Sequence, residues 1–491
     1  MKTMGKIKLL TLLTFLGAFV AIAQTTGEFE EWKKKEQETF QKFKDARDRE
    51  FADFLKKEWQ EFEACQGIVR DETPKPMKMP VYVPPVDTLK LPTPPPRIVK
   101  DIPVPLPTPE LKLEPEKKPV LVEREGINTL ELTFFDAPLS VDYDVRFKAA
   151  SGNQVSKESI SAFWGTLSRS NYENCLVQAE YYKKQMRLND WGYCQLLDKI
   201  GEGIYNGSQN QRCLFVWFML SKSGYEAKVG YSKDQLYLML PSENVLYGAS
   251  YFTFGGRRFY VVSFDGRAGA VGSLFTYDGK YPGADRPISL KVDRPPSIKE
   301  ETVSKVFKFQ YGGKEYTVPV KFNKNTVDFF ERYPQTDFEV YFDASPSPEA
   351  DLALVSALKP ILEGKSEAEA VNILLRFVQT AFGYRVDDEQ FGREKSLFAD
   401  ETLFYPFSDC EDRAILFAYL VRRLIGLEII GLDYPGHVAT AVKFSSEVKG
   451  DYVRYQNKNF MICDPTYIDA DFGMPMPKFK GITPKVIPIR V

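Results

Sequence analysis

Histidine is almost missing from this chain: His437 is the only one in 491 residues. Chemistry that needs a side chain titrating near neutral pH therefore has one place to happen. Cysteine is sparse as well. The six stand at 65, 175, 194, 213, 410 and 463, with no C-x-x-C spacing, which argues against a cysteine-based metal site. No charge of one sign dominates. The formal net charge is −2, whereas a nucleic-acid binder usually carries a basic excess. No nucleic-acid partner, metal or cofactor is expected. Long apolar runs are lacking too. Leu9 to Ala23 is the candidate, and it is short for a spanning helix.

That run has another reading. Lys2, Lys6 and Lys8 precede it, and Ala21-Ile22-Ala23 forms a small-x-small site before Gln24. Residues 1–23 thus read as a cleaved Sec signal, and the protein as periplasmic or secreted. Removing three lysines from a net −2 leaves about −5. Export would permit disulfides.

What is present is a chain of ordinary globular composition, 43% hydrophobic, long enough for two or three domains. Residues 24–66 read as an amphipathic helix. Phe29, Phe40, Phe51 and Phe62 are eleven apart, as are Trp32, Phe43, Phe54 and Cys65. Eleven residues make three helical turns, so one narrow stripe results. Such a stripe serves either packing, on a neighbour or in a coiled coil, or attachment to an envelope or membrane-surface partner through residues 27–65. Residues 67–120 are dense in proline and read as a stiff, extended linker. A long stiff spacer is poorly suited to local docking, which favours the partner. An α+β domain is expected over 121–295, a β-rich segment over 296–346 and a catalytic domain over 347–491. Gly312-Gly313 lies between alternating runs and predicts a hairpin. "FGGRRF" (254–259) reads as another turn. "SEAEAVNILLRFVQTAF" (366–382) reads as a capped helix.

The chemistry concentrates around Cys410. In "FSDCEDRAILFAYLVRRLIGL" the Ser408-x-x-Glu411 pattern predicts a capping box, Arg422 and Arg423 suit the last turn, and Gly426 suits a stop. Cys410 then sits in the first turn, where the helix dipole favours thiolate. Asp409, Glu411 and Asp412 oppose this, so an imidazolium is needed. His437 opens a strand after the turn "DYPG", and "NFMICDPTY" is a strand ended by Asp464-Pro465. Cysteine, histidine and aspartate so placed can form a nucleophile, base and orienter. The two strands must then lie antiparallel. "YVRYQ" must run in the same direction as the His437 strand, with the turn at 457–459.

In that order, "DCEDRAILFAYLVRRLIGL", "GHVATAV" and "CDPTY" resemble the transglutaminase-like superfamily, and more narrowly its exported bacterial transglutaminase-like cysteine peptidases. The resemblance covers roughly residues 350–475. It implies a papain-like α+β core, with a cysteine-bearing helix packed on an antiparallel sheet. It implies Cys410 as nucleophile, His437 as base and Asp464 as orienter. Many members carry an aromatic residue two places after the histidine, where this chain has Ala439. The function so implied is a thiol hydrolase, a peptidase or amidase acting on a protein or peptide through an acyl-enzyme. The alternatives are a protein-crosslinking acyltransferase and a non-catalytic envelope scaffold with an inherited triad. The Cys410 N–H would supply part of an oxyanion hole, with Gln390 or Tyr384 as second donor.

The first half carries an echo of the second. Shifting by 202 puts Gly426 on Gly224, Cys410 on Ser208 and His437 on Gln235. Residues 127–290 are then either a degenerate copy without its triad or a chance match of two helix-then-strand segments.

Overall fold

The computed structural model describes residues 31, 34–36, 38, 39, 41–70, 78–83, 118–122, 125–149, 155–265 and 269–490. The signal segment and the middle of the proline-rich stretch lie outside the described residues. The protein is α+β.

Two units follow each other with the same order of parts. Each begins with a two-stranded hairpin, continues through helices and ends in an antiparallel sheet. The first hairpin pairs Ile127–Phe134 with Ala137–Asp144, and the second pairs Thr302–Tyr311 with Lys314–Asn323. The second turns at Gly312-Gly313 as expected, both glycines having positive φ (58° and 76°). It is not a separate β-rich segment. Phe309 and Phe307 pack on Phe377 and Phe382 of the following helical region, at ring distances of 5.4 and 4.7 Å. The rest of the segment expected to be β-rich holds two helices, Lys324–Glu331 and Phe338–Asp343. Their apolar residues recur at helical spacing and are buried.

The sheets match strand for strand. The second has the order Tyr452–Tyr455, Lys458–Cys463, His437–Lys443, Glu428–Tyr434, Lys485–Ile487. The first has the order Tyr251–Phe254, Arg257–Val262, Gln235–Pro241, Lys228–Ser232, Ser273–Thr276. All neighbouring pairs are antiparallel. A long helix precedes each sheet, Gln209–Lys222 in the first unit and Cys410–Leu424 in the second. Both stop at a glycine of positive φ, Gly224 and Gly426. The first-unit helix starts at Gln209, with Ser208 as its N-cap. Gln209, rather than Ser208, therefore takes the place of Cys410.

The N-terminal arm corrects the expectation of a helix held off by a spacer. The helix over 41–55 stops there, and Gln60–Glu63 is a strand added to the edge of the first sheet. Phe51 and Leu55 are buried. The Phe51 ring lies 4.7 Å from Trp164 and 5.4 Å from Tyr281. Asp48, also buried, accepts hydrogen bonds from Lys222 and from Tyr281 Oη. The eleven-residue stripe is thus used partly from a helix and partly from a strand. Phe62 packs on Phe254 in the sheet, while Phe43 stays exposed. Phe29, Trp32 and Phe40 lie outside the described residues.

The described ends of the expected linker also dock. Gly67 lies against the Gly248 backbone so closely that a Cβ there would come within 2.4 Å of it. Tyr82 N–H donates to Ile468 O (2.7 Å), and Ile468 N–H donates to Pro80 O (3.0 Å). Val122 exchanges two hydrogen bonds with the Asn174 side chain. No helix among the described residues is long and apolar enough to cross a membrane. All six cysteines are free thiols.

Candidate active site

The helix Cys410–Leu424 buries an unusual N-terminus. Its N-cap is Asp409, one residue later than the expected Ser408 box. The Asp412 carboxylate accepts the Asp409 N–H at 3.1 Å and the Leu397 N–H at 2.8 Å. Cys410 is therefore the first helical residue, where unsatisfied N–H groups and the dipole both favour negative charge.

Arg413, fully buried one turn on, locks this end in place. Its guanidinium donates to Gln379 O, Phe382 O, Gly383 O and Ser408 Oγ at 2.8–3.1 Å. Burial lowers its pKa to about 10, so it is still charged at neutral pH. It ties the helix to the short parallel pair Gly383–Tyr384 and Phe407–Ser408.

Next to the sheet, strand register brings the second and third residues together. Thr440 pairs with Cys463 on antiparallel strands, so His437 at one strand's start meets Asp464 just past the other's end. This is the required arrangement. Tyr452–Tyr455 runs in the direction of the His437 strand, on the far side of Lys458–Cys463. The turn falls at Gln456-Asn457, both with positive φ.

His437 Nε2 and Asp464 Oδ2 are 2.9 Å apart, with both side chains buried. The other carboxylate oxygen, Oδ1, accepts the Thr466 N–H at 3.0 Å. Gln379 Nε2 donates to Asp464 O and Ala470 O, both at 3.0 Å. The carboxylate is thus fixed at both oxygens and at its own backbone. Phe479 stacks on the imidazole, 4.8 Å away and 10° from parallel. His437 Nδ1 is buried and has no hydrogen-bond partner.

Cys410 and His437 open into one cavity of about 330 Å³, shared with Arg70, Glu394, Glu411 and Lys485. The Cys410 thiol donates to Glu411 Oε2 at 3.1 Å. Burial, together with Asp409 and Glu411, pushes the Asp412 carboxyl well above the usual carboxylate range. Asp387, Asp409 and Asp412 bring oxygen atoms within 4.8 Å of one another, a spacing compatible with a hard cation.

No family model, curated protein or solved structure matches this chain. The reading of the site therefore rests on its own geometry.

The two expected oxyanion donors fare differently. Gln390 Nε2 donates to Phe407 O at 3.4 Å, and Gln390 does not line the cavity. Tyr384 does not line it either, but it lies close enough for Cys410 to act on it. Burial first, then Cys410, Asp409 and Glu411, push its phenol well above the usual range. It remains an O–H donor at any ordinary pH.

Sequence reasoning missed Arg70, Gln379, Arg413 and Phe479. Gln379 and Arg413 were at least legible as polar residues on helix faces that are otherwise apolar. Arg70 carried no signal. It comes from the docked arm, 4.1 Å above the Phe338 ring and 4.6 Å from that of Tyr247, and donates to Ser396 Oγ at 2.6 Å.

Proposed function

We propose that the protein is an exported thiol hydrolase of the transglutaminase-like type, a peptidase or amidase built on a papain-like core. One observation carries the reading. A buried His437–Asp464 pair on adjacent antiparallel strands faces the same cavity as a cysteine at a helix N-terminus.

The chemistry follows from these positions. His437 Nδ1, the nitrogen without a partner, takes the thiol proton. Asp464 holds the ring through Nε2 and stabilises the imidazolium. The Cys410 sulfur attacks the carbonyl carbon of a peptide or amide. The oxyanion is stabilised by the Cys410 N–H, and the Tyr384 hydroxyl would join it where substrate binding opens the cavity to that side. The C–N bond then breaks, and the amine leaves with the imidazolium proton. Water, giving its proton to His437, attacks the thioester. The C–S bond breaks, releasing the acid and restoring the thiol.

The other buried cysteines, and the half-buried Cys213, lie in surroundings that disfavour thiolate. Burial raises the pKa of Cys175 to about 12, and also pushes up Cys194, Cys213 and Cys463. They stay protonated and inert at neutral pH. Iodoacetamide labelling followed by peptide mass spectrometry, on a Cys65→Ser background, tests the reading. Cys410 alkylation should show its inflection below about pH 7.5, and His437→Gln should move that inflection up. An inflection at or above the ordinary thiol value of about 8.5 would count against an activated nucleophile.

Tyr384→Phe removes one oxyanion donor. It is expected to lower kcat by roughly 100-fold with KM little changed. An unchanged kcat in steady-state assays would remove Tyr384 from the mechanism.

A further inference from the structure

The first unit keeps a cleft where the second has its candidate active site. Its lining includes Gln209 at the helix start, Gln235 at the strand start and Ser263 just past the Arg257–Val262 strand. These are the topological places of Cys410, His437 and Asp464. Each is a neutral polar residue, so the cleft cannot form a thiolate–imidazolium pair.

It has not closed. The cavity is about 1150 Å³, larger than most small-molecule pockets, which hold about 300–1000 Å³. It runs from the first hairpin's turn across the sheet to the helix Lys324–Glu331 of the second unit.

Two independent features point to an occupant. Gln195, on the helix Asp190–Ile204, lines the cleft and is 4% exposed, yet neither its Oε1 nor its Nε2 has a hydrogen-bond partner. A buried amide left in this state is costly unless something satisfies it. One acceptor and one donor side by side match the N–H and C=O of a peptide backbone. The second feature is charge. Among the described residues, Asp136, Asp198, Glu202, Asp265, Asp328 and Glu331 line the cleft with Lys199, Arg212 and Arg332, and Asp328 is paired with Lys324. Arg212 and Lys199 are already paired with Asp198 and Glu202.

We propose that this cleft binds an extended polypeptide segment bearing lysine or arginine side chains and does not cut it. The inference stands apart from the hydrolase reading, because none of its residues belongs to the Cys410 site. Binding here would hold a protein against the helix Lys324–Glu331 of the second unit.

The test uses the full chain carrying Cys410→Ala, so that no turnover intervenes. Fluorescence anisotropy is measured with a labelled decapeptide of alternating lysine and alanine, and with its glutamate counterpart. The lysine peptide should bind at least ~10-fold tighter, and the difference should shrink as salt rises. Asp265→Lys with Glu331→Lys, both exposed positions, should weaken it at least ~10-fold. Gln195→Leu should weaken it several-fold without lowering the melting temperature, because it removes unpaired polar atoms. Equal binding of the two peptides would overturn the proposal. So would unchanged affinity in the charge-reversed chain, which remains informative even if Gln195→Leu fails to fold.

Discussion

Cys410→Ala is expected to abolish turnover of peptide coumarin amides and of labelled casein, with a loss of roughly 10⁴-fold or more. The fold should survive. The change removes one sulfur, whose thiol donates to the neighbouring Glu411, and the helix end stays anchored by Arg413 and Asp412. Asp464→Asn should behave differently. It keeps a side chain that can still accept the Thr466 N–H but cannot hold an imidazolium, so activity should fall by up to about 10⁴-fold yet stay above the Cys410→Ala background. Paired assays and thermal melts separate chemistry from stability. Turnover in Cys410→Ala equal to the starting protein would end the hydrolase reading.

The C-terminal site was legible because each of its parts is announced locally. A helix start, a strand start and a strand end carry their own sequence marks, and the need for His437 to reach Asp464 set the strand directions, as the register bears out. Two things escaped. The capping residue shifted by one, because Asp412 reaches the Asp409 N–H and so does the work expected of Glu411. Glu411 was left to hold the thiol instead. The repeat was visible only as a faint echo, since matching strands share position and direction but few side chains. Gly224 and Gly426 survive because a positive φ demands glycine. The arm was misjudged for a different reason. An aromatic stripe says that a surface will be covered but not which one, and the covering surface lies more than a hundred residues away. Trp164 and Tyr281 sit there at positions no local pattern connects to Phe51.

Deleting residues 24–120 should therefore destabilise the protein and not merely release it from an attachment. The truncation uncovers Trp164, Trp217, Tyr277 and Tyr281, whose rings surround Phe51. Phe51 and Leu55 are each nearly or fully buried, worth about 1.5–3 kcal/mol apiece. The deletion also leaves Lys222 without Asp48. That lysine is buried and its pKa is already lowered to about 8, chiefly by burial, so it loses the carboxylate that favours its charged form. The edge strand Gln60–Glu63 goes too, exposing the backbone of Ser273–Thr276. A fall in melting temperature of ~10 °C or more is expected, and Phe51→Ala with Leu55→Ala should reproduce much of it. The loss reaches the second unit as well, because Arg70 leaves the cavity that holds Cys410 and His437. Turnover should drop even at temperatures where the truncated chain stays folded. Superimposable melts and equal turnover would mean that the arm's docking contributes nothing, and that its role lies wholly outside this fold.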